Sequence, residues 1–187
     1  MNKRFNFTQT SLQGLFIAER KAFGDSRGSF TRLFCAKEFN EIGLDRSIVQ
    51  INHSITRIKG TVRGLHFQNP PHAEAKIISC LKGEVFDVAV DLRRGSNTFL
   101  SWHAEKISAE NQKSIIIPEG FAHGFQALAD DCELFYLHTR FYAPEVEEGF
   151  NVQDKRIGIN WPLPIIGLSD RDKSYAPLKD NYCGILL

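Results

Sequence analysis

The sequence predicts an all-β fold, a sandwich or barrel of many short strands. Short apolar segments rich in Val, Ile and Phe recur along the chain, separated by Gly, Pro, Asn or Asp. Long stretches with apolar residues at helical spacing are missing. The segments are regularly spaced, which implies a sandwich or barrel and not a βαβ arrangement. A length of 187 residues fits one domain, and no repeat, low-complexity tract or linker divides residues 1–187.

In chain order, the apolar run inside Gly14–Glu19 reads as a strand, within an N-terminal region of about residues 1–35. Ala36–Ile42 is a short helical candidate. Strands are then expected at Ile48–Asn52, Thr61–Phe67, Lys76–Leu81 and Glu84–Asp91, where β-branched and aromatic residues concentrate. Lys82-Gly83 lies between two of these runs and predicts a tight hairpin. Further strands are expected at Ser101–Ser108, Lys113–Ile117, Gly124–Leu128 and Glu133–Phe141. From Gly149 to residue 187 the chain is rich in Pro and Gly with weak periodicity. That stretch predicts loops and a short helix wrapped around the strands.

Lys plus Arg total 23 and Asp plus Glu 22, so the charge of +1 supplies no general attraction to nucleic acid or an anionic membrane. Cys35, Cys80, Cys132 and Cys183 form no C-x-x-C pair, which argues against a zinc knuckle or redox dithiol. The N-terminus lacks the apolar core of a secretory signal, and no apolar run approaches the ~20 residues of a membrane span. A cytoplasmic protein is expected.

Several strands carry one ionisable residue among apolar ones, and the two-residue period assigns it a face. His66 shares a face with Val62 and Gly64, Lys76 with Ile78 and Cys80, and Asp87 with Val85 and Ala89. His123 lies with Phe125, and Tyr136 with Leu134 and Cys132. If all five faces point inward, a small barrel would hold two imidazoles, an ammonium, a carboxylate and a phenol. Such a set suits acid–base chemistry with a stabilised anion. Each residue also has an ordinary structural use. His66 would serve as a hydrogen-bonded core residue and Tyr136 as core filler. Lys76 would snorkel to the rim, and Asp87 would cap a turn or pair with Lys76. A metal site is disfavoured, because the residue two beyond His66 is Gln68, and His72 follows Pro70-Pro71 in a loop.

These residues sit in segments that resemble the dTDP-4-dehydrorhamnose 3,5-epimerase family. Arg63-Gly64-Leu65-His66-Phe67-Gln68 resembles its R-G-L-H-[FY] signature. The likeness continues through Gly83 to Arg93, Ser108 to Asn111 and Pro118 to Phe125. Gly24-Asp25-Ser26-Arg27-Gly28 is similar to its D-x-R-G turn. Tyr142 to Glu145, Gly158 to Pro162 and Leu168 to Asp172 also fit, so the resemblance covers roughly residues 14 to 178.

The resemblance implies a cupin-type β-jelly roll, a homodimer, and a site with neither metal nor cofactor. The implied substrate is a nucleotide-diphospho-4-keto-6-deoxyhexose, inverted at carbon 3, carbon 5 or both through an enolate. His66 matches the general base, as histidine titrates near neutral pH. Asp172 matches the carboxylate that orients it, and would otherwise cap a turn. Lys76 matches the cation beside the carbon-4 oxygen, and Asp87 a carboxylate that positions Lys76. Tyr136 matches the acid on the opposite face, and His123 a second pocket histidine. Arg27 and Arg63 match diphosphate contacts. Phe30 and Tyr142 match an aromatic pair around the base, one of them from the partner subunit; Phe30 also reads as packing. Gln50 and Asn52 match polar lining, and Arg171 lies in the matched Leu168–Asp172 block. Two features depart from the family: Arg32 stands where a Glu is usual, and the segment from Asn52 to Arg63 is slightly longer.

The alternatives that remain open are an epimerase acting at carbon 3 alone or on another nucleotide sugar, a non-catalytic sugar-nucleotide-binding cupin, and a metal-dependent cupin oxygenase. The binding module would be expected to lack a base, and Gln68 argues against the oxygenase.

Overall fold

The computed structural model describes residues 3–187, so the first two positions of the N-terminal region lie outside the described residues. The strands are β1 (Phe5–Gln9), β2 (Phe16–Arg20), β3 (Phe23–Asp25), β4 (Gly28–Phe30), β5 (Gln50–Thr56), β6 (Val62–Gln68), β7 (Lys76–Lys82), β8 (Glu84–Asp91), β9 (Trp102–Ser108), β10 (Lys113–Ile117), β11 (Phe121–Ala127), β12 (Cys132–His138) and β13 (Glu147–Gly149). Two short helices, α1 (Ala36–Phe39) and α2 (Asp170–Ser174), complete the set, and a 3-10 turn at Asn40–Ile42 continues α1.

The strands form a six-stranded sheet in the order β1-β2-β10-β7-β12-β5 and a five-stranded sheet in the order β13-β6-β11-β8-β9. The neighbouring strands pair antiparallel, and the two sheets face each other as a jelly roll. β3 and β4 form a separate hairpin. The strand-rich reading of the sequence is thus correct. β1, the β3–β4 hairpin and β13 are additional to the strands expected.

Alternation along each strand sorts the apolar residues into three cores. Ile78 and Cys80 of β7 point between the sheets with Ile115 and Ile117 of β10, Phe121 and Phe125 of β11, and Leu134 of β12. Ile77 and Ile116 point the other way, onto Phe5 and the α1 residue Phe39. On the outer face of the five-stranded sheet, Leu65, Phe67, Val88 and Val90 pack under Phe150, Val152, Ile157 and Leu178 of the C-terminal wrap. Burial of this kind stabilises by roughly 25 cal/mol per Å² of apolar surface.

Two expectations are corrected. Lys82-Gly83 is not a hairpin, because β7 belongs to one sheet and β8 to the other. Gly83, at φ 76°, carries the chain across between sheets, and a Cβ there would stand 2.8 Å from Cys132 Sγ. The face predicted for His66 is also wrong. In the β6–β11 ladder His66 pairs with His123 and Arg63 with Phe125, so Gly64 and Leu65 oppose Gly124 alone. This bulge flips the alternation. Val62 therefore packs in the outer core with Leu65 and Phe67, while His66 shares its face with Arg63.

Candidate functional site

A cleft of about 640 Å³ opens between the two sheets at one end of the inner core. From the five-stranded side come Arg63 and His66 of β6 and His123 of β11. From the six-stranded side come Gln50, Asn52 and Ser54 of β5, Lys76 of β7, and Tyr136 and His138 of β12. Tyr142 and Glu147 close one rim, and Ser169, Arg171 and Asp172 of the wrap close another.

Three imidazoles of the cleft pair with buried carboxylates. His66 Nε2 lies 2.7 Å from Asp172 Oδ1. Asp172 is positioned by the start of α2, where Ser169 accepts the Asp172 N–H at 3.0 Å. Burial pushes the Asp172 carboxyl up, but the His66 hydrogen bond and charge, with Ser169 and the Gly64 N–H, hold it below the ordinary carboxylate range. Asp172 is therefore ionised at neutral pH and only accepts. His66 Nε2 donates, and the lone pair of the neutral ring is on Nδ1.

The second pair is His123 with Asp87, both carboxylate oxygens 3.0 Å from Nε2. Asp87 is fully buried beneath the cleft, and burial raises its carboxyl against the opposing pull of His123 and Lys76. The expectation that Asp87 positions Lys76 is therefore corrected. Its hydrogen-bond partner is His123, and Lys76 acts on it only through charge. The ion pair of Lys76 is with Glu74, 3.0 Å away. Glu74 also completes the third pair, with His138 Nδ1 at 2.8 Å.

Tyr136 faces the cleft with its hydroxyl 3.1 Å from Ser54 Oγ, and burial raises its phenol above the ordinary value. Arg63 donates to Thr56 Oγ1 at 3.1 Å and to the Ile55 carbonyl at 3.2 Å. Gln50 donates to Asn52 Oδ1 and accepts the Tyr142 N–H. Arg171 pairs with Glu147, which also accepts the Tyr142 hydroxyl at 2.7 Å. Of the expected residues, His66, Tyr136, Asp172, Lys76, His123, Gln50, Asn52, Arg63, Tyr142 and Arg171 thus converge.

Arg27 and Phe30 do not line this cleft. Both sit on the β3–β4 hairpin, where Arg27 pairs with Asp25 and Phe30 is 73% exposed. Arg32, the departure noted at the sequence level, pairs with Glu38 of α1 and also stands outside it. Sequence reading missed Glu74, His138, Ser54 and Glu147. Glu74 lies two positions before Lys76, and His138 two after Tyr136, so alternation pointed to the same faces. Among the described residues, no three His, Cys, Asp or Glu side chains converge as metal ligands. No helix among them is long and apolar enough to cross a membrane.

The sequence profile of the dTDP-4-dehydrorhamnose 3,5-epimerases matches residues 9–180. The dTDP-4-dehydrorhamnose 3,5-epimerase of Methanothermobacter thermautotrophicus is 42% identical over 180 residues, covering 95% of this chain and 96% of the relative. That of Shigella flexneri is 46% identical over 168 residues, covering 89% and 92%. The dTDP-6-deoxy-D-glucose-3,5-epimerase of Legionella pneumophila Philadelphia 1, solved with dTDP-4-keto-L-rhamnose, superimposes with a TM-score of 0.92. Its identity is 39%, and 98% of each chain is covered.

Proposed function

This chain belongs to the dTDP-4-dehydrorhamnose 3,5-epimerase family, and from that premise we propose how its residues divide the reaction. It is an isomerase of deoxysugar biosynthesis, inverting carbons 3 and 5 of a dTDP-linked 4-keto-6-deoxyhexose. Hydrogens on both carbons are α to the carbon-4 ketone. His66 removes each in turn at Nδ1, with Asp172 fixing the tautomer and stabilising the imidazolium. The C–H electrons move to the carbon-4 oxygen, where Lys76 offsets the developing charge. Tyr136 returns a proton to the opposite face. Its raised phenol is protonated at neutral pH and so has a proton to deliver. The observation that carries this reading is the placement of base and acid on facing sheets, His66 on β6 and Tyr136 on β12. One proton leaves and one returns, with no net oxidation, so the balance calls for no cofactor.

Gln50, Asn52, Arg63, His123, Tyr142 and Arg171 would line the path of sugar and diphosphate. The outward position of Arg27 and Phe30 supports a homodimer in which each hairpin serves the partner's cleft. The β5 edge supports it too, since Ile51 and Ile55 are exposed on its outer face. Four free cysteines suit the reducing cytoplasm.

The test is dTDP-4-keto-6-deoxyglucose in deuterated water, followed by NMR at carbons 3 and 5. His66→Asn should slow exchange at both carbons by ~10²–10⁴-fold with the fold intact. Retention of more than about a tenth of wild-type exchange removes His66 from the role of base.

A further inference from the structure

Lys76 is only 9% exposed, and its four-carbon stem has many rotamers. An ammonium that must meet one oxygen needs to be held. The residue that holds it here is Glu74, and Glu74 is itself held. We propose that Glu74 and His138 are positioning residues for Lys76, with Glu74 fixing the ammonium and His138 fixing Glu74. The proposal rests on the reading that Lys76 faces the carbon-4 oxygen.

The ladder sets up this contact. His138, the last residue of β12, is the cross-strand partner of Lys76, the first residue of β7. The next residue, Thr139, clamps the segment that carries Glu74. Its Oγ1 accepts the Ala75 N–H at 2.9 Å, and its own N–H reaches the Ala75 carbonyl at 3.1 Å. Glu74 is thereby aimed between the two side chains and gives one oxygen to each, Oε1 to Lys76 and Oε2 to His138. Burial pushes the Glu74 carboxyl up, but His138 and Lys76 together hold it below the ordinary range, so it is an ionised acceptor at neutral pH.

This fixes every proton in the chain. His138 donates through Nδ1, so Nε2 carries the lone pair in the neutral ring. Asn52 Nδ2, 3.3 Å away, is placed to donate to it. Asn52 Oδ1 accepts from Gln50 Nε2 at 3.2 Å, and Gln50 Oε1 accepts the Tyr142 N–H at 3.0 Å. A single directed series of hydrogen bonds therefore runs from the cleft rim at Tyr142 to Glu74, whose other oxygen accepts from the ammonium of Lys76. The other tautomer at His138 would set donor against donor at Asn52 and acceptor against acceptor at Glu74.

The first measurement is ¹⁵N NMR of the imidazoles, with the His138 signals assigned by their loss in His138→Ala. The neutral wild-type ring should carry its proton on Nδ1. Glu74→Gln keeps an acceptor for Lys76 but turns an amide toward His138, so the ring should switch to the Nε2–H form. A wild-type His138 protonated on Nε2 overturns the proposal, whether or not any variant folds. The second measurement is deuterium exchange with variants whose folding is checked by thermal melting. Glu74→Gln and His138→Ala should each lower kcat on the order of tenfold or more, as misplaced catalytic groups do. The loss should be equal at carbons 3 and 5, because both enolates share the carbon-4 oxygen, with KM changed by less than about twofold. Wild-type exchange in both folded variants, or a raised KM with unchanged kcat, overturns the proposal. Lys76→Ala separates the two readings. If it is inactive while Glu74→Gln and His138→Ala are normal, only the positioning role fails. If it exchanges at the wild-type rate, Lys76 is not the stabilising cation and both readings fall.

Discussion

Tyr136 combines two properties that the core alone would not require. Its ring packs against the inner apolar core, and its hydroxyl reaches Ser54 Oγ across β5 and β12. As the acid on the far wall it is dispensable for proton removal and needed for inversion. Tyr136→Phe keeps the ring and deletes only the hydroxyl, at a stability cost of roughly 0.5–1.5 kcal/mol for the lost hydrogen bond. Exchange with retention should persist while inverted product falls sharply, both visible in one NMR time course. Inverted product at the wild-type rate would make Tyr136 a packing residue. His66, Lys76, Asp87, His123 and Tyr136 were legible because each interrupts an apolar alternation. Apart from His66 with Asp172, which the family resemblance supplied, their pairings were not, because cross-strand partners depend on sheet order, which local pattern does not encode. Asp87 therefore read as the partner of Lys76, whereas the fold gives it to His123 and gives Lys76 to Glu74.

At the level of the strand, the bulge in β6 sets the chemistry. Arg63 and His66 are three residues apart and would point to opposite faces of a regular strand. The extra residue brings both to the cleft. Gly64 permits it at φ 131°, where a Cβ would stand 2.5 Å from the Gly124 Cα and 2.9 Å from the His123 carbonyl oxygen. Gly124 is equally close on its side, with an added Cβ 2.9 Å from the Arg63 carbonyl oxygen. The two strands touch backbone to backbone at this point. Gly64→Ala should destabilise the protein by about 1–3 kcal/mol or more through strain and forced separation of the strands. It should also lower exchange activity in the molecules that remain folded, as His66 and Arg63 lose their common face. A melting temperature and turnover both within error of wild type would show that the bulge tolerates a side chain. The strands of the two sheets other than β1 and β13 were legible from short apolar segments. The bulge was not, because one glycine in a strand pattern does not announce whether an extra residue is present.

At the scale of the molecule, two residues matched to substrate binding do not line the cleft of their own chain. Arg27 and Phe30 project on an exposed hairpin, and the six-stranded sheet ends at β5, whose outer face exposes Ile51 and Ile55. A two-fold arrangement would cover that face and carry each hairpin to the other subunit's cleft. Mixing two damaged proteins tests the exchange directly. His66→Asn removes the base, and Phe30→Ala removes the aromatic contact, so each alone should be slow at substrate concentrations below KM. In a mixed dimer, the cleft with an intact His66 would receive Phe30 from the His66→Asn subunit and be complete. Random exchange of subunits makes about half the dimers mixed, each with one complete cleft of two, so about a quarter of all clefts should recover. If Phe30 serves its own cleft, no combination of these chains restores it. Mixing would then give only the average of the two parent activities. Sedimentation of the mixture, with one parent labelled, shows whether exchange has occurred. Exchange without recovered activity would refute the shared cleft, and a stable, fully active monomer would refute the dimer.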